Sequence, residues 1–144
     1  MTEVAERLPV PSDRIKGCSV AVVDDEPDDL FMAGFTLETM GFKVTKYNGG
    51  AALVEAIRGG KHFDAIVSDV RMPGMDGIAM LNTLRQLGFD IPVIVVSSTA
   101  QEDYPTELAP GVAPAGVVGK PYSTEVLGTC VCKVLESTLP PSEN

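Results

Sequence analysis

The chain is short of cysteine, of basic residues and of long apolar runs, and each shortage excludes something. Only Cys18, Cys130 and Cys132 occur among 144 residues. Three thiols without paired metal-ligand spacing make neither a disulfide framework nor a zinc site. Cys130 and Cys132 are two apart on an expected helix and point in different directions, so they read as small buried hydrophobes in a reducing cytoplasm rather than a redox pair. Lys and Arg number 11 against 20 Asp and Glu, a formal charge of −9, which argues against a nucleic-acid surface. No apolar run is long enough to cross a membrane. The first seven residues, Met1 to Arg7, lack the basic and apolar regions of a signal peptide. These observations predict a cytoplasmic protein that binds neither nucleic acid nor membrane. The single histidine, His62, follows Gly59-Gly60-Lys61 and reads as a surface residue rather than a catalytic base.

What is present is a regular alternation of strand and helix patterns, in a length that suits one domain. Residues 1–16, with Pro9, Pro11, Ser12 and Asp13, resist regular structure and read as a tail. An apolar strand follows over 18–23. Pro27 suits the first position of a helix, with Asp28 and Asp29 in its first turn. Leu30, Ala33, Gly34 and Leu37 share one face of it, and Gly41 ends it. Residues 42–47 form a short strand with interleaved lysines, the pattern of a sheet edge. Ala52, Leu53, Ala56 and Ile57 give a second helical stripe. A third strand runs to Asp69, and Ile78, Leu81, Leu84 and Leu87 give a third helix. Residues 91–96 are an unbroken apolar strand, buried on both faces. Pro105, Pro110 and Pro114 leave room only for a short helical piece within 101–114. A last strand covers 115–118. Ser123 caps a final helix with Val126, Leu127, Cys130, Val134 and Leu135 on its apolar positions, ended by Leu139-Pro140-Pro141. Five βα units joined by right-handed crossovers predict a three-layer α/β sandwich.

The strand ends carry the chemistry. The first strand ends on Asp24-Asp25-Glu26. The third delivers Asp69, followed by Val70-Arg71-Met72-Pro73-Gly74-Met75-Asp76-Gly77, which cannot be regular. Open α/β sheets bind ligands at the carboxyl ends of their strands. Gathered carboxylates repel and need a cation or a shared proton, and hard oxygens suit magnesium. Helix N-capping is the bland alternative for Asp24 and Asp25, but it does not explain two adjacent acids after a buried strand. Alone, Lys120 reads as a solvated loop lysine and Ser97 as a capping or turn serine. Glu26 and Asp76 read as supporting or structural acids, and Met72, Met75 and Met80 as loop and core packing.

Taken together, Val22-Val23-Asp24-Asp25-Glu26-Pro27, the stretch from Ser68-Asp69 to Gly77, Val96-Ser97-Ser98 and Lys120-Pro121 resemble the receiver domain of two-component response regulators. The resemblance covers about residues 16–137. One such motif is weak; four in the family's order and spacing are specific. It implies a doubly wound, flavodoxin-like, five-stranded parallel sheet in the order 2-1-3-4-5. The receiver would occupy 17–138, between tails at 1–16 and 139–144. It implies that Asp69 accepts a phosphoryl group from a histidine kinase or histidine phosphotransfer protein. Asp25 would bind Mg2+ directly, Asp24 through water, and Asp69 and the backbone carbonyl of Arg71 would complete the set. Lys120 would pair with Asp69 and then with a phosphoryl oxygen, aimed by a cis bond before Pro121, and the Ser97 hydroxyl would bind the phosphoryl group. Arg71 and Thr99 occupy positions that tune its lifetime. Such a domain assists its own phosphorylation and dephosphorylation but is not an enzyme that releases product. It would act as a stand-alone receiver and signal by contact with an output protein the sequence does not name, as a monomer or weak dimer.

Two departures from the family pattern stand out. Val117 replaces the Tyr or Phe three residues before the lysine, and the proline-rich stretch leaves the family's fourth helix degenerate. Three other readings stay open: an interaction module that is never phosphorylated, a receiver cut from a hybrid kinase or larger regulator, and an aspartyl phosphatase-like hydrolase. The last lacks its Asp-x-Asp pattern. Neither Gly60-Lys61 nor Gly119-Lys120 completes a phosphate loop, and no Gly-x-Ser-x-Gly element is present. Met1 and the tail-like ends fit a whole chain and a piece of one equally.

Overall fold

The computed structural model describes residues 8–98 and 104–139. Strand β1 (Ser19–Val23) leads to helix α1 (Pro27–Thr39), β2 (Lys43–Tyr47), α2 (Gly50–Arg58), β3 (Ala65–Asp69), α3 (Gly77–Gln86), β4 (Val93–Ser97), a 3-10 turn (Tyr104–Glu107), β5 (Gly116–Gly119) and α4 (Thr124–Thr138). All strand pairs are parallel, in the order β2-β1-β3-β4-β5. This is the flavodoxin-like order the resemblance implied.

Side chains alternate across a strand, and here both faces of the central strands are covered. Val20 and Val22 of β1 point to the layer that holds Leu37 of α1 with Leu127, Val131 and Leu135 of α4. Ala21 and Val23 point to Leu53 and Ile57 of α2 and Met80, Leu81 and Leu84 of α3. That double burial explains the near-continuous apolar runs of β1, β3 and β4. By contrast β2 is an edge, and Lys43 and Lys46 are exposed on it.

Helix ends follow local chemistry. Pro27 opens α1, and Asp28 and Asp29 lie in its first turn. Asp76 caps α3, accepting from the backbone N–H groups of Ile78 and Ala79. Ser123 caps α4 through Val126 N–H. Between β4 and β5, the described residues hold only the 3-10 turn, as the prolines predicted.

Several expectations need correction. Leu87 and Val126 were placed on apolar helix faces, but both are exposed, while Ile78, Leu81 and Leu84 of α3 and Leu127, Val134 and Leu135 of α4 are buried as expected. Leu87 lies one residue past the end of α3 as its C-cap, and Gly88 with φ of 92° turns the chain after it. The three thiols are only partly buried. The stretch 1–16 lacks helix and strand where it is described, but it packs on the domain from Leu8 onward. Ile15 is fully buried and Leu8 nearly so, while Arg14 donates to the Leu139 carbonyl and pairs with Glu136. No helix among the described residues is long and apolar enough to cross a membrane.

Candidate functional site

The parallel register places the acids. Asp69 is the last residue of β3, level with Val96 on β4, so it projects at the carboxyl edge beside Ser97. Asp24 follows β1, and its N–H continues the ladder to the Tyr47 carbonyl at 3.1 Å. Lys120 follows β5, with its N–H on the Ser97 carbonyl at 2.6 Å, and the Lys120–Pro121 bond is cis. Three different strands thus bring Asp24, Asp69 and Lys120 to one edge.

One carboxylate oxygen each from Asp24, Asp25 and Asp69 lie within 4.8 Å of one another. Asp24 and Asp69 are largely buried, and Asp25 is exposed. Neither Asp24 nor Asp25 caps α1. The cap position is Glu26, without a side-chain bond, and Asp24 instead accepts from the Glu26 N–H at 3.0 Å. Burial raises the Asp69 carboxyl to about 6, against the lowering effect of Lys120 and with Asp24 and Asp25 raising it further. Burial also raises Asp24, partly offset by the Glu26 N–H and Lys120. A carboxyl held above its ordinary range carries unbalanced negative charge, and such a donor set fits a hard divalent cation.

The Lys120 ammonium lies 3.7 Å from Asp69 and 3.8 Å from Asp24. Its hydrogen bond goes to Asp29 of α1, at 3.1 Å. Burial alone would depress the ammonium, but the bond to Asp29 and the charges of Asp69 and Asp24 outweigh it and leave its pKa raised. Tyr122 stands beside this cluster, its phenol pushed up by burial. Ser97 is buried at the end of β4.

The loop after Asp69 is fixed by backbone approach. Gly77 donates to the Val70 carbonyl at 2.9 Å, and a Cβ on Gly77 would stand 2.2 Å from the Asp69 carbonyl oxygen. Gly74 turns the loop with φ of 74°, a value L side chains rarely adopt. Arg71 sends its side chain away to Glu107, through two bonds of 2.9 Å.

Of the sequence-predicted residues, Asp24, Asp25, Asp69, Lys120 and Ser97 therefore gather at one edge, with Arg71 two residues after Asp69. Thr99 lies outside the described residues. Val117 is an exposed residue of β5, at 52%, and His62 is an exposed residue paired with Asp64. Asp29, Gly77 and Glu107 were not singled out for the site. Asp29 looks like an ordinary first-turn acid, and its approach to Lys120 is made by tertiary folding between residues 91 apart.

The family model for the response regulator receiver domain matches residues 20–131. Among curated proteins, the sensor kinase CckA of Brucella abortus (strain 2308) is 37% identical over 120 residues, covering 82% of this chain and 12% of that protein. The transcriptional regulatory protein FixJ of Bradyrhizobium diazoefficiens is 27% identical over 126 residues, covering 87% of this chain and 60% of that protein. The chain thus spans less than two thirds of the length of either relative. Among solved structures, the N-terminal part of FixJ aligns with TM-score 0.75 at 25% identity, over 86% of this chain and 98% of that one. The receiver domain of Francisella response regulator 1452 aligns with TM-score 0.73 at 28% identity, over 85% of this chain and 99% of that one.

Proposed function

This chain is a member of the response regulator receiver domain family, and from that premise we propose that Asp69 accepts a phosphoryl group from a histidine kinase or histidine phosphotransfer protein. The observation that carries the reading is the position of Asp69: a strand-end carboxylate grouped with Asp24 and Asp25 and 3.7 Å from the Lys120 ammonium. The domain is a phosphoacceptor rather than an enzyme that releases product.

The reaction follows from what the side chains can do. An Asp69 carboxylate oxygen attacks phosphorus, the O–P bond forms, and the P–N bond to the donor imidazole breaks. Phosphoryl transfer asks the protein for alignment and charge neutralisation more than for covalent chemistry. Asp24, Asp25, Asp69 and the backbone carbonyl of Arg71 would hold Mg2+, which when bound would supply positive charge to offset the carboxylates and the incoming phosphoryl group. Lys120 supplies a second positive charge and forms a charge-assisted bond once phosphoryl oxygens are present. Ser97 offers a hydroxyl donor at the neighbouring strand end. The packed N-terminal segment supports a receiver unit that takes in residues 8–16 as well as 17–138.

The unit signals by contact with an output protein. It acts as a stand-alone receiver, or as the receiver segment of a larger regulator or hybrid kinase. Beryllofluoride, a phosphoryl mimic, tests the site. Titrated with magnesium present, it should give a saturable spectroscopic change that Asp25→Ala abolishes with the fold intact. An identical change in Asp25→Ala would refute this assignment.

A further inference from the structure

We infer that Asp29 is a positioning residue: in the resting protein it holds Lys120 by a hydrogen bond and competes with the phosphoryl group for that ammonium. The inference rests on the phosphoacceptor reading above.

Three carboxylates, from Asp24, Asp29 and Asp69, stand around one lysine. Hydrogen-bond distances for an ammonium and a carboxylate fall at about 2.7–3.2 Å. Only the Asp29 contact, at 3.1 Å, lies in that range, while Asp69 at 3.7 Å and Asp24 at 3.8 Å lie beyond it. Lys120 is therefore turned toward α1 rather than docked on the acceptor. The Lys120 side chain is 22% exposed and that of Asp29 is 49% exposed. The bond is thus fixed at one end by a strand terminus and a helix turn, yet remains weak enough to exchange.

Asp29 does not belong to the group that could hold a metal ion, which is Asp24, Asp25 and Asp69. A cation in that group would neutralise the rivals of Asp29 and leave its own claim on Lys120 intact. An acyl phosphate at Asp69 reverses the balance by adding charged oxygens beside the ammonium. Removing the Asp29 charge should then favour the phosphoryl-bearing state, because Lys120 no longer has to be taken from a resting partner. A general loss of negative charge near the site would favour an anion too, but it would do so whether or not Lys120 were present.

The experiment is a two-residue cycle in beryllofluoride affinity at saturating magnesium, measured by calorimetry. The four chains are the parent, Asp29→Asn, Lys120→Met and the double variant. Lys120→Met keeps the apolar stem and removes the donor, and thermal unfolding checks that each chain is folded. Asp29→Asn should raise affinity on the order of threefold in the parent background, as befits a half-exposed pair, and clearly less beside Lys120→Met. Asp29→Glu should restore the parental value. Equal gains in both backgrounds, or no gain in either, overturn the inference while leaving the phosphoacceptor reading in place. Failure of the parent chain to bind beryllofluoride overturns that reading, and this inference with it.

Discussion

Arg71 and Glu107 are joined by two parallel bonds, each 2.9 Å, across 36 residues of sequence. Asn82 of α3 reinforces the contact, donating to the Glu107 carbonyl and accepting from the Ala109 N–H, both at 2.9 Å. The 3-10 turn and the chain after it are thereby tied to the residue two positions beyond Asp69. Few backbone hydrogen bonds hold this stretch, and its exposure places it among the less stable parts of the fold.

Glu107→Ala should therefore speed amide exchange at Leu108 and Val112 severalfold while leaving the global unfolding midpoint nearly unchanged. The hydrogen bond to Arg71 holds the Glu107 carboxyl below its ordinary value. Its contribution is present above the ordinary carboxyl pKa and is lost as pH falls through the lowered one, so acid should loosen the same amides in the parent chain. Unchanged exchange in Glu107→Ala would show that the fork does not hold the segment.

The Asp69 carboxyl, raised to about 6 from an ordinary 3.8, makes a prediction with a definite sign. The folded state binds this proton more tightly than the unfolded state. Its contribution is complete below 3.8 and is lost as pH rises through about 6. In magnesium-free buffer the thermal midpoint should fall across that window. Asp69→Asn should flatten part of the fall and unfold at a higher temperature than the parent at neutral pH. Asp24, also raised by burial, contributes a fall of the same sign that remains in the variant. Superimposable pH profiles for the two chains would contradict the unbalanced charge assigned to Asp69.

Gly77 sits where its missing side chain matters. A Cβ there would meet the Asp69 carbonyl at 2.2 Å and the Ser68 hydroxyl at 3.0 Å. Gly77→Ala must push the start of α3 away from β3, at a cost of about 1–3 kcal/mol for such overpacking. Denaturant unfolding should show that loss, and magnesium-dependent beryllofluoride binding should weaken alongside it. A chain of parental stability would mean that the loop yields without displacing the acceptor.

The parts of this molecule most legible in the sequence were those set by local pattern. Both-face burial made β1, β3 and β4 readable as apolar runs, and the acids at the ends of β1 and β3 marked the candidate edge. Pro105, Pro110 and Pro114 correctly limited the described residues before β5 to a short helical piece. Helix faces were less secure. Leu87 and Val126 continue an apolar stripe on paper, but both fall outside the sector that meets the sheet. Contacts made only by tertiary approach were not legible. Nothing in Asp28-Asp29 distinguishes a dipole-favoured acid from one that reaches Lys120, and nothing in Glu107 announces Arg71. Ile15 was hidden by the prolines and polar residues around it, which predicted irregular backbone correctly but said nothing of burial.

The central claim is that Asp69 is the phosphoacceptor, and the most direct measurement is to locate the acyl phosphate itself. The parent chain is incubated with acetyl phosphate and magnesium, the acyl phosphate is trapped by borohydride reduction, and the modified peptide is sequenced by mass spectrometry. The account predicts a single modification, on Asp69, that disappears with chelation of magnesium and in Asp69→Asn. A chain that remains unmodified under these conditions, or a modification that persists in Asp69→Asn, would contradict it.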